Sequence, residues 1–134
     1  MKGCNVDIFV KEVAKGQNVT YNVEVWLVDK ATEETLKSFI EISKSSNLSL
    51  DYDYRMAYAR RGKKCEIAIN LATNLAMALR KANFKVYGAL IREDMMENER
   101  KVVKLPNIPL SKRASMKAPR ELLEILQKKL KESI

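Results

Sequence analysis

The chain has 134 residues, 25 Lys and Arg against 17 Asp and Glu, a net charge of +8 and no histidine. That length suits one domain, residues 1–134, and a 46% hydrophobic share beside 31% charged residues is that of a folded protein. Without imidazole there is no Ser-His or Cys-His catalysis, no Cys/His zinc site and no histidine-dependent nuclease chemistry.

Two cysteines, Cys4 and Cys65, are too few for a disulfide framework or a four-Cys zinc site, and free thiols are expected at both. No apolar run approaches the roughly 18 residues of a membrane span, and charge comes too early in the chain for a signal peptide. A cytoplasmic protein with no membrane contact is the expectation. No Gly-rich phosphate motif occurs, and no cofactor is expected.

In chain order, Val6, Ile8 and Val10 alternate with Asp7, Phe9 and Lys11, the period-two pattern of a half-buried strand. Lys15-Gly16-Gln17-Asn18 predicts a hairpin turn, after which Val19, Tyr21, Val23, Val25 and Leu27 resume the alternation. A helix is predicted from about Thr32 to Ser46, with Thr32 as N-cap and Glu33 and Glu34 at the positive end of its dipole. Leu48 to Tyr58 alternates again and predicts a long third strand. Arg60-Arg61-Gly62-Lys63-Lys64 reads as a basic turn, leading into an Ala- and Leu-rich helix of about Cys65 to Ala82 that Asn83 closes.

Phe84 to Arg92 is mostly apolar and suits an interior strand. An acidic connection, Glu93 to Glu99, separates it from a short returning strand over Lys101 to Leu105. Pro106 and Pro109 stop regular structure, and residues 106–118 read as a basic irregular arm. Pro119 fits the first turn of a last helix over 119–133 with Leu123, Leu126 and Leu130 on one side, too short a repeat for a coiled coil but a possible partner surface.

The order β-β-α-β-α-β-β-α predicts an α+β fold. It is a mostly antiparallel sheet of four to five strands with helices mainly on one face, and a ferredoxin-like variation is one such arrangement. Strand order does not follow from the pattern.

Charge is the strongest functional signal. Up to Tyr54 there are six basic and nine acidic residues, a net of −3; from Arg55 onward there are nineteen basic and eight acidic, a net of +11. Arg60, Arg61, Lys63 and Lys64 form one concentration. Arg100, Lys101, Lys104, Lys112, Arg113, Lys117 and Arg120 form another, with no acidic residue between them. Cations on such segments neutralise successive phosphates and release counterions, and Ser111 and Ser115 offer hydrogen bonds to phosphate. A Lys-rich surface equally serves solubility.

Phe9 and Trp26 are predicted on the sheet face away from the helices, where open aromatics would stack on bases. Cover by the last helix or by a second subunit is the competing expectation. Asp7, Glu24, Asp51 and Asp53 fall on the same face. Converging carboxylates can hold Mg²⁺ for phosphodiester hydrolysis, but pairing with Lys11 and Arg55 is the simpler expectation.

The sequence therefore points first to a non-catalytic nucleic-acid-binding protein, with a homodimer as the expected assembly. DNA and RNA are both open as ligands, gripped by the basic turn and arm. A protein-interaction or assembly role on an acidic protein partner comes second, and a metal-dependent nuclease third.

Overall fold

A computed structural model describes residues 4–29, 31–45 and 63–114. The predicted strand Leu48–Tyr58 and the C-terminal helix lie outside these residues. So do Asp51, Asp53, Arg60, Arg61, Ser115, Lys117 and Arg120.

In the first two predicted strands alternation becomes sheet as expected. Strand β1 (Asn5–Lys15) and strand β2 (Asn18–Leu27) form an antiparallel hairpin in register from Val6↔Leu27 to Lys15↔Asn18. Its turn is tight because Gly16 takes φ 61°, a left-handed conformation open to glycine without steric cost.

Helix α1 (Glu33–Ser45) starts as its sequence predicts: the Thr32 hydroxyl accepts the Thr35 N–H at 3.2 Å. Helix α2 spans Lys63–Lys81, so Lys63 and Lys64 belong to its first turn and not to the basic turn expected there. Asn83 closes it at φ 70°, with the Phe84 N–H returning to the Leu79 carbonyl at 3.0 Å.

Strand β3 (Lys85–Asp94) and strand β4 (Glu99–Val103) form a second antiparallel hairpin, Leu90↔Val103 to Asp94↔Glu99. At its tip the Asp94 carboxylate accepts the Met96 and Glu97 N–H groups at 2.9 and 3.2 Å, and Asn98 adopts φ 52°.

The fold is α+β, as predicted. The two hairpins join through a parallel β1–β3 pairing, giving a mixed four-stranded sheet in the order β2-β1-β3-β4. Helix α2 packs on this sheet and α1 packs beside α2, with Phe39 and Phe84 edge to face at 6.1 Å. Ala68, Ala72 and Ala76 recur every fourth residue and are fully buried with Leu75 and Leu79, so the helix backbone approaches the sheet closely. Val6, Ile8, Val10, Val23, Val25 and Leu27 form the α2 face of the first hairpin.

At one end of this face the buried Tyr21 hydroxyl donates to the Glu12 carboxylate, which Arg92 also binds at 3.0 Å, and the Cys65 thiol lies beside it. Burial, then the hydrogen bond to Glu12, raises the Tyr21 pKa well above the ordinary tyrosine value. Cys4 and Cys65 are both half-buried, and no disulfide joins them. No helix among the described residues is long and apolar enough to cross a membrane.

Candidate nucleic-acid interface

The segment expected to be a basic irregular arm is irregular over residues 105–114, and there it forms a strap fastened along β3. Its first anchors are apolar: Leu105 and Ile108 are 1% and 0% exposed, and burying each side chain contributes about 1.5–3 kcal/mol. Backbone bonds follow, with the Gly88 N–H donating to the Pro109 carbonyl and the Ser111 N–H to the Gly88 carbonyl, both at 2.9 Å. Gly88 is required here, since a Cβ at this position would sit 2.2 Å from the Ile8 carbonyl oxygen and 3.3 Å from Ile108 Cγ2.

Two arginines complete the fastening. Arg113 reaches across to β1 and grips the fully buried Asp7, through Nε to one carboxylate oxygen and through Nη2 to the other at 3.0 Å. That hydrogen bonding raises the Arg113 pKa further above its already high ordinary value. Arg100 on β4 pairs with Glu93 and donates to the Ala114 carbonyl at 3.0 Å. Arg113 and Arg100 are thus committed within the molecule. Ser111 accepts the Arg113 N–H at 3.1 Å and is 3% exposed, and that burial keeps it from the phosphate contact anticipated.

The aromatic expectation is corrected in the same way. Phe9 and Trp26 do occupy the sheet face opposite α2, but they are 5% and 1% exposed, which rules out an open stacking surface on them. The Trp26 indole N–H donates to Glu24 at 3.2 Å, and Glu24 pairs with Lys11 at 2.9 Å. Pairing across strands, expected for these carboxylates, therefore holds for Glu24, with Lys11, whereas Asp7 is paired from the strap by Arg113. Among the described residues no group of three or more acids or thiols is placed to hold a metal ion.

Lys101, Lys104 and Lys112 remain exposed, all on the β4-and-strap edge. Arg80, in the last turn of α2, joins that edge by donating to the Asn107 carbonyl at 2.8 Å. Lys81 and Lys85 are exposed at the adjoining end of the sheet, whereas Asp94, Glu97 and Glu99 cluster at the opposite, hairpin end.

Tyr87, half-buried on the face opposite α2, borders a shallow depression of about 230 Å³ with Asn5, Leu110, Lys112 and Arg113. Lys85 stands two residues from Tyr87 on the same side of β3, about 7 Å away. Tyr87, Lys85 and Arg80 were not singled out from the sequence. Tyr87 sits in an apolar run whose only readable message is burial, and Lys112 and Arg113, which border the same depression, lie 25 and 26 residues further along the chain.

No family model, curated protein or solved structure matches this chain.

Proposed function

We propose that this protein binds nucleic acid without catalysing a reaction on it. The observation that carries the reading is the set of exposed cations along one edge, Lys85, Lys101, Lys104 and Lys112 with Arg80, meeting a half-exposed aromatic at Tyr87. Such cations displace condensed counterions from phosphates, and the aromatic offers a surface to a base. Arg100 and Arg113 leave the contact set as direct phosphate ligands and become its scaffold. Lys63 and Lys64, at the start of α2, stay in the proposal with Arg60, Arg61, Lys117 and Arg120, which lie outside the described residues.

Titrating labelled single- and double-stranded oligonucleotides at two salt concentrations tests the reading. Binding at low salt that weakens steeply at high salt is expected, and no binding even at low salt overturns it. Cytoplasmic location and dimerisation belong to the same proposal, and sedimentation analysis reads the dimer directly.

A second reading draws on a separate observation. Met95 and Met96 at the hairpin tip are 55% and 76% exposed, and Val102 and Val103 on β4 are 39% and 37% exposed. An apolar edge of this kind beside lysines also suits docking on an acidic protein partner. Recovery of a specific protein after nuclease treatment would favour it.

A further inference from the structure

The depression beside Tyr87 narrows the class of nucleic acid. At about 230 Å³ it is smaller than a site for a drug-sized ligand, and its walls differ in kind. Tyr87 contributes a ring. Leu110, 51% exposed, contributes an apolar surface that the strap holds out to solvent.

Between them Arg113 is pre-positioned. A guanidinium carries five N–H donors, and the buried Asp7 takes only the Nε donor and one on Nη2. The remaining donors keep a fixed direction because both partners are immobilised. Asp7 also cancels the Arg113 charge, and Asp29 lies close by, accepting both the backbone and side-chain N–H groups of Asn5 at 2.8 Å. The centre of the depression is therefore close to neutral; Lys112 lines it, and Lys85 stands next to it on β3, paired with Asn5 in the sheet.

We infer that this depression seats one unpaired nucleobase against Tyr87 and Leu110, with the flanking phosphates on Lys85 and Lys112. The ligand is then single-stranded nucleic acid. A neutral, donor-bearing floor with apolar walls matches a base edge and its π-face, and a cationic rim matches the backbone on either side. A duplex cannot use the seat without unstacking a base. The inference rests on the nucleic-acid reading above and adds the strandedness.

The test compares fluorescence anisotropy of one sequence as single-stranded DNA, single-stranded RNA and duplex. It uses the wild-type chain, Tyr87→Leu and Tyr87→Phe at low salt, with circular dichroism confirming the fold of each. Single strands are expected to bind more tightly than duplex. Tyr87→Leu should lose about tenfold in single-strand affinity or more, and Tyr87→Phe should retain it.

Equal affinity for duplex and single strand, with Tyr87→Leu at wild-type affinity, overturns the base seat while leaving the phosphate reading intact. Absence of binding to every oligonucleotide overturns both. Should Tyr87→Leu fail to fold, NMR on the wild-type chain decides. Adding a nucleoside monophosphate should shift the Tyr87 ring signals, and unmoved ring signals refute the seat.

Discussion

The two members of the Asp7–Arg113 pair differ in surroundings, and that difference sets what each substitution costs. Asp7 has no exposed surface, whereas the Arg113 side chain keeps 28% of its own. Arg113→Met would strand a carboxylate in the interior, at a cost of about 3 kcal/mol or more. Asp7→Asn leaves an amide oxygen that still accepts from Arg113 and a guanidinium that can turn to water, costing about 1 kcal/mol. Urea denaturation of the two variants should show that order, and equal or reversed costs would mean the pair is not the anchor described.

Tyr21 gives a pH-dependent expectation at the same scale. Its pKa is raised in the folded state, so the folded protein holds the phenolic proton more tightly than the unfolded chain does. The stabilisation is complete below the ordinary tyrosine pKa of about 10 and is lost as pH rises above it. A spectrophotometric titration should find one tyrosine that stays protonated until the protein unfolds. Tyr21→Phe should lack that late titration, and the contact fails as described if it persists.

Among the elements, the strap does most to shape the proposed site, and Gly88 decides whether it can close. Any Cβ at Gly88 collides with the Ile8 carbonyl on β1, which is backbone and cannot rotate away. Gly88→Ala is expected to cost about 3 kcal/mol or more, at or beyond the upper end for overpacking, and to expose strap amides to hydrogen exchange. A melting temperature at wild-type value would contradict the close β1–β3 approach.

The strands and helices were largely legible because two-residue and 3.6-residue periodicities survive in sequence, and the caps at Thr32 and Asn83 are local chemistry. The parallel β1–β3 joint was not legible. It pairs Asn5 with Lys85, and nothing within either segment names its neighbour. The fastening of the strap was hidden for the same reason, since Asp7 and Arg113 lie 106 residues apart. Alternation placed Phe9 and Trp26 on the correct face but carried no information on whether that face is open.

At the scale of the molecule, the exposed charges of the described residues are separated by sign. Acids gather at the β3–β4 hairpin tip, while exposed cations follow the strap edge to the start of β3. On the proposed function, charges arranged in this way would steer a polyanion toward Tyr87 and away from the hairpin, and ionic strength would weaken the effect. The count of arginines and lysines alone overstates the charge available to a polyanion, because Arg100 is held by Glu93 and the Ala114 carbonyl and Arg113 by Asp7.

The salt dependence of single-strand binding, measured for the wild-type chain and for Lys101→Gln/Lys104→Gln/Lys112→Gln, tests this account most directly. Each phosphate contact contributes about 0.7 to the slope of log affinity against log salt concentration on a single strand. Loss of three contacts should therefore flatten that slope by about 2, with weaker binding at low salt. An unchanged slope and affinity would contradict the strap edge as the phosphate-binding surface.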